Sequence, residues 1–327
     1  MKILITGGLG YVGGRIADHL RKRIPPADIY LTTRDDKRPL PAWSGAFTIA
    51  RMDVLDPAAI AACLDGKKID VIIHLAALND VQSAKDPEAA LEVNVRGTYR
   101  LLERAKAAGV RRFIYFSTIH VYGPVLSGTL TEESPTAPVH PYGATHRAAE
   151  DIVNYFHHYH GMQTLIFRMS NGYGYPMNKE VDAWSLVFND LCRQLVTTGK
   201  IILRSSGKQR RDFIALSDAA AAVEHFLFSA GDSAWNRLYN LGSGRPVSVL
   251  EVAEQVRHVF VDKFGREPGV VTAAADQPGS QSIAVDYRVD KIAAAGFVPR
   301  GDMSLEINKT LQLCARSFAA GGLDAGR

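Results

Sequence analysis

The chain has 327 residues, 46% hydrophobic and 22% charged, which is enough for one large hydrophobic core and a smaller lobe. The formal net charge is only +4, and no run of Lys and Arg is interleaved with aromatic residues, which argues against a nucleic-acid-binding surface. The three cysteines are scattered without a CxxC pair, so neither a disulfide framework nor a zinc site is expected.

The first predicted strand, residues 2–6, leads directly into glycines at 7, 10 and 13, and an amphipathic helical pattern follows them. A strand that turns at once into a helix directs backbone N–H groups and the positive end of the helix outward, where a pyrophosphate can bind. Gly7 permits the tight turn, Gly10 lets the backbone approach a phosphate, and Gly13 lets the helix lie close to its strand. The pattern predicts a dinucleotide site; the alternative is a phosphate-free loop of an α/β domain.

The same N-terminal strand bears on targeting. Because residues 1–6 already have the pattern of a core strand, the sequence leaves no room there for a signal peptide. No apolar stretch reaches the length that a membrane-spanning helix needs. We therefore expect a cytoplasmic protein that does not bind membranes.

Farther along the chain, strand-like runs alternate with helical ones, as expected of a parallel sheet covered by helices. The alternation predicts an α/β fold, a Rossmann-type doubly wound parallel sheet with a smaller C-terminal substrate-binding lobe. The dinucleotide-binding domain is placed at residues 1–170, with a strand and a helix contributed from about 205–245, and 171–327 form most of the lobe. The predicted strands are 29–33, 47–52, 71–75, 113–117 and 164–169, and the predicted helices lie near 57–65, 84–108, 141–160 and 182–198.

The residues after the second predicted strand bear on the choice of nicotinamide cofactor. An acidic residue at the end of that strand binds the adenosine ribose hydroxyls of NAD, whereas an arginine there pairs with the 2′-phosphate of NADP. The chain has Thr33 where the acid is expected and Arg34 directly after it, so NADP is favoured. Asp35 and Asp36 keep NAD as the alternative, because a register one or two residues later supplies a carboxylate. A solvated loop is the third interpretation.

Short motifs along nearly the whole chain resemble those of the extended short-chain dehydrogenases/reductases, in the NAD-dependent epimerase/dehydratase group. Most members of that group act on nucleotide-linked sugars. The motifs are TGGLGYVGG at 6–14, Asp53-Val54, HLAA at 74–77, NVRGT at 94–98, FSTIHVYG at 116–123, HPYGATH at 140–146, RMSNGYG at 168–174, RRDF at 210–213 and YNLGSG at 239–244.

The resemblance implies where a bound dinucleotide lies. It would contact the glycine turn, the carboxyl ends of the following strands and the helix that starts near residue 141. The residues so implicated are Gly7, Gly10, Tyr11, Val12, Gly13, Arg34, Asp53, Val54, Leu75, Ala76, Ala77, Asn94, Tyr142 and His146.

The resemblance also implies a catalytic pair. In this family a Ser or Thr and a Tyr hydrogen-bond the reacting carbonyl oxygen, and the Tyr transfers the proton while the nicotinamide transfers the hydride. The matching positions are Thr118 and Tyr142. The structural alternatives are that Thr118 only satisfies a strand end and that Tyr142, after His140 and Pro141, caps a helix.

The largest departure from the family comes four residues after Tyr142, where the family has Lys and this chain has His146. The family's Lys holds the nicotinamide ribose, and its charge lowers the pKa of the Tyr. An unperturbed Tyr has a pKa of about 10, so forming its anion at pH 7 costs about 4 kcal/mol without such help. His146 lies on the same helix face as Tyr142 and can donate a hydrogen bond to the ribose, but its charge is left open by the sequence. Arg147 is rotated by about 100° from that face.

This departure affects the two directions of catalysis differently. A neutral Tyr142 can protonate the alkoxide formed in ketone reduction, whereas alcohol oxidation requires Tyr142 to start as a base. A 4-epimerase, which oxidises and then reduces its substrate, needs Tyr142 in both roles. The replacement of Lys by His146 therefore favours a reductase, whereas a charged His146 would be compatible with an epimerase.

The residues after Thr118 narrow the chemistry further. Family dehydratases have an Asp-Glu pair directly before the VYG motif, and this chain has Ile119 and His120. Ile119 cannot donate a proton, so 4,6-dehydration is not expected. His120 is a candidate acid or base for epimerising a carbon beside a ketone, and its alternative role is a polar wall of the pocket.

By resemblance, Thr118 also binds the substrate, and Asn171 and Arg211 match positions that contact the nucleotide diphosphate, for which an arginine fork is suited. A second departure is Gln277, where many relatives use an Arg on that diphosphate. Another carbonyl compound is therefore the alternative substrate. The histidines within 157–160 lack an acidic or thiol partner at ligand spacing, so no metal site is expected.

The resemblance further implies a homodimer. The helices near 84–108 and 141–160 would pair with their copies in a four-helix interface. Leu91, Val95, Leu101 and Leu102 are candidates for its core, and the alternative is that they face only their own sheet.

These observations together predict an NAD(P)-dependent oxidoreductase that reduces a nucleotide-linked keto-sugar, with Tyr142 as the proton donor and NADP as the cofactor. The first alternative is a nucleotide-sugar epimerase with tightly bound NAD(P). The second is a nicotinamide-binding sensor or scaffold without turnover. An enzyme is favoured over a sensor, because a protein that senses only the cofactor needs no side chains that bind a substrate. This chain retains such side chains at Thr118, Tyr142, Asn171 and Arg211.

Overall fold

A parallel sheet forms the centre of the computed structural model, which describes residues 1–34, 39–124, 128–203, 205–272 and 285–318. Within these residues its seven strands have the order β3-β2-β1-β4-β5-β7-β12, and every neighbouring pair is parallel. The order reverses between β1 and β4, which confirms the predicted doubly wound, Rossmann-type α/β fold. The strands are β1 (Ile3–Thr6), β2 (Ile29–Thr33), β3 (Thr48–Arg51), β4 (Val71–His74), β5 (Arg112–Thr118), β7 (Gln163–Met169) and β12 (Arg237–Leu241).

The remaining strands form two-stranded pairs outside this sheet. They are β6 (Gly128–Leu130) with β15 (Val285–Tyr287), β8 (Asn171–Tyr173) with β11 (Phe213–Ala215), β9 (Lys200–Leu203) with β14 (Gly269–Thr272), and β10 (Arg210–Arg211) with β13 (Val247–Ser248).

Helices cover both faces of the central sheet, which explains why β1 and β4 are buried along their whole length and read as continuous apolar runs. No helix of the described part is long and apolar enough to cross a membrane. The helices are α1 (Tyr11–Leu20), α2 (Pro57–Leu64), α3 (Asp80–Lys85), α4 (Pro87–Ala90), α5 (Gly97–Ala107), α6 (Pro141–His160), α7 (Val187–Thr198), α8 (Leu216–Phe228), α9 (Val249–Phe264), α10 (Asp290–Ala294) and α11 (Met303–Phe318).

The helix predicted near 84–108 begins too early. The helical backbone is continuous from α4 through a π-helical segment (Leu91–Arg96) into α5, and the separate helix α3 precedes it. Pro87 cannot donate a backbone hydrogen bond, and Asp86 starts a new helix by accepting a hydrogen bond from the backbone N–H of Ala89 at 2.9 Å.

The expectation that Leu101 and Leu102 face a second copy of the chain is also wrong. Both side chains are fully buried within one subunit, in the core under α2, α5 and α6. The apolar residues that α5, α6 and the π-helical segment leave exposed are instead Leu91, Tyr99, Tyr155 and Tyr159, while Val95 is half-buried.

A second core lies beyond the sheet, where α7, α9 and α11 pack together around residues such as Phe188, Val256 and Leu311. A buried ion pair joins this region to the N-terminal helix. Arg15 of α1 donates two hydrogen bonds to the Glu306 carboxylate of α11, at 2.8 and 2.5 Å, and both side chains are almost fully buried.

Candidate active site at the carboxyl end of the sheet

The glycine turn between β1 and α1 has the shape that a phosphate site requires. Gly7 has φ +66°, a conformation that other residues rarely adopt, and a methyl group on Gly13 would overlap the carbonyl oxygen of Gly7. Gly10 precedes α1 and offers no capping side chain, so the first N–H groups of the helix are left for a ligand. The turn therefore fits the pyrophosphate of a dinucleotide.

The segment after β4 is held beside this turn by Thr6. The Thr6 hydroxyl oxygen accepts hydrogen bonds from the backbone N–H groups of Leu75 and Ala76, at 3.0 and 3.1 Å. Its own hydrogen is then directed at His74 Nδ1, 2.6 Å away, and His74 Nε2 donates to Thr98 at 3.0 Å. Burial lowers the pKa of His74 to about 3, so this imidazole is a neutral connector and its two nitrogens are both used.

The expected adenosine contacts lie at the neighbouring strand ends. Arg34 is exposed directly after β2. Val54 is buried, and the Asp53 carboxylate accepts a hydrogen bond from the backbone N–H of Leu55 at 2.9 Å. The competing acids at 35 and 36 lie outside the described residues, as does Gln277.

Asn94 lies in the π-helical segment and is fully buried. Its side-chain oxygen accepts from the backbone N–H of Leu78 at 2.7 Å, and its nitrogen donates to Thr145 at 3.0 Å. Thr145 lies on α6 next to His146. Asn94 therefore connects the loop after β4 to the helix that carries the candidate catalytic residues.

Tyr142 and Thr118 come together at the amino end of α6 and the carboxyl end of β5. The Thr118 hydroxyl oxygen accepts from the backbone N–H of His120 at 3.2 Å. Burial raises the pKa of Tyr142 to about 12, although the polar side chain of Thr118 opposes this rise. Tyr142 is therefore a neutral phenol, able to donate a proton, at neutral pH.

His146 lies one turn after Tyr142 on α6, with ring centroids 4.5 Å apart in an edge-to-face arrangement. Its Nδ1 is 2.8 Å from the hydroxyl of Tyr115, and its Nε2 has no hydrogen-bond partner among the described residues, although the residue is only 3% exposed. Burial lowers the pKa of His146 to about 3, with a smaller contribution from His120. The imidazole is therefore neutral, and its unpaired nitrogen points to a missing ligand group.

Arg147 does not supply the positive charge that His146 lacks. Its Nε donates to Thr136 at 3.1 Å, and its guanidinium pairs with Asp151. The charged side chain that acts on Tyr142 is instead the Asp80 carboxylate, which raises its pKa further. Sequence reasoning missed Asp80, and the signal for it was an acid shortly after the carboxyl end of a predicted strand.

His120 also contacts Tyr142, with ring centroids 6.2 Å apart in an edge-to-face arrangement. Desolvation lowers the pKa of His120, the Asp80 carboxylate opposes this, and the Arg211 guanidinium lowers the pKa further. Asp80 and Arg211 thus both act electrostatically on His120, with opposite signs.

The candidate substrate residues Asn171 and Arg211 are brought together by the pairing of β8 with β11. Asn171 lies opposite Phe213 in this pair, and its side-chain nitrogen donates to the carbonyl oxygen of Asp212 at 2.8 Å. The fully buried Asp212 carboxylate accepts from the N–H and hydroxyl of Ser243, at 2.9 and 2.8 Å. This fixes the backbone at Arg211, whose own side chain stays exposed.

Comparison with known proteins agrees with this arrangement. The family model for the NAD dependent epimerase/dehydratase family matches residues 3–242. A dTDP-D-glucose 4,6-dehydratase of Mus musculus is 27% identical over 327 residues, covering 97% of this chain and 89% of the mouse protein.

Two solved structures have a similar fold. One is a UDP-glucose 4-epimerase of Thermotoga maritima with UDP-glucose, with a TM-score of 0.78 and 20% identity, covering 97% of this chain and 99% of that one. The other is RMD of Pseudomonas aeruginosa in complex with NADPH, with a TM-score of 0.77 and 24% identity over the same shares of the two chains.

Proposed function

Because the chain belongs to the NAD dependent epimerase/dehydratase family, we propose that it is an NAD(P)-dependent reductase of a nucleotide-linked keto-sugar. The observation that carries this proposal is the state of Tyr142. Burial raises its pKa to about 12, Thr118 lies beside it, and the residue one turn away is a neutral His146 rather than a cation. At neutral pH the neutral phenol therefore predominates, which is the form that can give a proton to an alkoxide, and the anion that alcohol oxidation requires is scarce.

The protein's part in the reaction is proton transfer and orientation. Thr118 and Tyr142 donate hydrogen bonds to the oxygen of the substrate carbonyl, and the Tyr142 proton passes to that oxygen as the C–O double bond is reduced. The hydride for the carbonyl carbon would come from a nicotinamide dinucleotide held at this site.

The cofactor is held by the turn at Gly7, Gly10 and Gly13, by the backbone after β4, and by His146 at the nicotinamide ribose. The substrate diphosphate is held by Asn171 and Arg211. The nucleotide-sugar class is supported by the family and by the dTDP-D-glucose dehydratase among the relatives. Dehydration itself is not proposed, because Ile119 is 1% exposed and carries no acidic group.

The decisive experiment is incubation of the purified protein with NADPH and a panel of nucleotide 4-keto-6-deoxy sugars. We expect absorbance at the NADPH band to fall in proportion to the alcohol formed. Epimerised product without net NADPH consumption would instead establish the epimerase, and cofactor binding without turnover of any sugar would establish a sensor.

The exposed Arg34 after β2 leads to a prediction about cofactor preference. Arg34→Ala should weaken NADPH binding by about 1.5–3 kcal/mol, the scale of a charge-assisted hydrogen bond, and leave NADH binding nearly unchanged. Isothermal titration with both cofactors measures this. Arg111→Ala is the matched control, because Arg111 is exposed directly before β5, at the amino end of a strand, whereas Arg34 follows the carboxyl end of β2. Equal losses for NADPH and NADH would contradict the role of Arg34.

The exposed aromatic residues of α5 and α6 lead to a prediction about assembly. We propose that an exposed apolar set packs against a second copy of the chain, because Tyr159 is 77% and Leu91 56% exposed. The set is Leu91, Tyr99, Tyr155 and Tyr159. Light scattering at micromolar concentration should give twice the 35.7 kDa chain mass.

Tyr159→Lys should shift this dimer toward monomer. Val298→Lys is the control, since Val298 is also 56% exposed but lies beside the core on the other face of the sheet. A wild-type protein that is monomeric at these concentrations would rule out the dimer.

A further inference from the structure

The contact between Tyr115 and His146 assigns a role to a residue outside the catalytic pair. We propose that Tyr115 is a positioning residue that fixes His146 as a neutral Nε2–H hydrogen-bond donor directed at the cofactor's nicotinamide ribose. The inference rests on the proposed function only where it names the cofactor ribose as the group that accepts the hydrogen bond from His146. The state of the imidazole is argued from the protein alone.

The direction of the hydrogen bond follows from what each group can do. The Tyr115 side chain is buried at 3% exposure, and its hydroxyl contacts His146 Nδ1 at 2.8 Å, its one hydrogen-bond partner in the described part of the chain. A phenol has a single O–H hydrogen, and leaving it buried without an acceptor costs about 1–3 kcal/mol. Tyr115 therefore donates to Nδ1, which must be unprotonated.

The imidazole hydrogen is then on Nε2, at the far side of the ring from Tyr115. This N–H is buried and finds no acceptor among the described residues. His74, the neighbouring imidazole, cannot accept it, because both of its nitrogens are used by Thr6 and Thr98. An unsatisfied donor beside Tyr142 calls for a ligand oxygen, and a ribose hydroxyl is an acceptor of the required kind.

Tyr115 also makes the donor state hard to reverse. If Nδ1 took up a proton, it would meet the O–H of Tyr115, and two donors would face each other in a buried space. If the imidazole hydrogen moved from Nε2 to Nδ1, the Tyr115 hydrogen would lose its acceptor. At the position where the family has a flexible, charged lysine, this chain thus has His146, an uncharged hydrogen-bond donor whose direction Tyr115 fixes.

The first test measures the imidazole directly, in the protein without cofactor. In ¹⁵N-histidine NMR spectra, assigned with a His146→Gln variant, wild-type His146 should show an Nε2-protonated neutral ring. In Tyr115→Phe the two neutral forms should become mixed. Tyr239→Phe is the matched control, because Tyr239 is another buried tyrosine of the sheet, and its hydroxyl donates to the carbonyl oxygen of Ala234 at 3.0 Å.

The second test locates the effect on the cofactor. Tyr115→Phe should weaken NADPH and NADH binding by about two- to tenfold, the fold-change of one hydrogen bond, while the affinity for ADP, which lacks the nicotinamide ribose, stays the same. Tyr239→Phe should change neither affinity.

Three results would overturn the proposal. They are an Nδ1-protonated or charged His146 in the wild type, an unchanged imidazole in Tyr115→Phe, and an equal loss of NADPH and ADP affinity in that variant. The protonation state of His146 can be read from the wild-type spectrum even if the Tyr115→Phe variant fails to fold. Wild-type protein that binds neither NADH nor NADPH would contradict the proposed function and therefore also the ribose contact. Failure of the proposed function is thus distinguished from failure of the role of Tyr115, which changes the imidazole or the cofactor affinity only in the variant.

Discussion

Tyr142→Phe is expected to lower the rate of keto-sugar reduction by about 10²–10⁴-fold, the usual contribution of a general acid, while cofactor affinity changes little. Phenylalanine keeps the ring that packs edge-to-face on His146 but removes the hydroxyl that we propose as the proton donor. Steady-state NADPH oxidation measures the rate, and fluorescence titration with NADPH measures the affinity.

Tyr159→Phe is the control for this substitution, because Tyr159 lies on the same helix and is exposed away from the site. Its reduction rate should match that of the wild type. A Tyr142→Phe variant that keeps more than about a tenth of the wild-type rate would show that another group delivers the proton, and His120 would be the next candidate.

His146→Lys is expected to raise the rate of alcohol oxidation by about 10- to 10³-fold at neutral pH and to leave reduction nearly unchanged. An ammonium within about 4–6 Å of the phenol stabilises its anion and lowers the pKa of Tyr142 by about 1–3 units. The anion is the required starting state only when the alcohol is the substrate. Initial rates in both directions, with NADP⁺ and with NADPH, measure the asymmetry.

The same argument sets the pH dependence of the wild type. Since the pKa of Tyr142 is raised to about 12, the fraction of its base form grows with pH throughout the neutral and mildly alkaline range. Oxidation should therefore rise by about tenfold per pH unit there, and reduction should not. In His146→Lys the oxidation profile should level off at a lower pH.

His158→Lys is the control for added charge, because His158 is exposed near the other end of α6. This variant should change neither the rate of oxidation nor the rate of reduction. Two results would contradict the reductase and favour the epimerase. One is a His146→Lys variant whose oxidation rate is not raised, and the other is wild-type epimerisation with no net use of NADPH.

Parts of the structure that depend on local pattern could be predicted from the sequence. The Gly7 turn, the alternation that gives a doubly wound sheet, and α6 over 141–160 all follow from residues close together in the chain. The break at Pro87 was visible in the sequence as well, and its omission made the predicted helix too long.

The state of the site could not be predicted in this way. The charge of His146 depends on its burial and on Tyr115, which is 31 residues away and meets it only when α6 packs on β5. Asp80 acts on Tyr142 from a separate helix. The inward direction of Leu101 and Leu102 is likewise set by the packing of α5 on α2 and α6.

The buried ion pair between Arg15 and Glu306 has a consequence for the order in which the protein matures during synthesis. The two residues are 291 positions apart, yet Arg15 belongs to the helix whose first turn we propose as the phosphate site. While the ribosome is still making the chain, this guanidinium has no carboxylate to receive it, and a buried charge without its partner is strongly destabilising. Helix α1 therefore reaches its final packing only after α11 has been made, and a nascent or truncated chain that lacks α11 is expected to leave α1 incompletely packed.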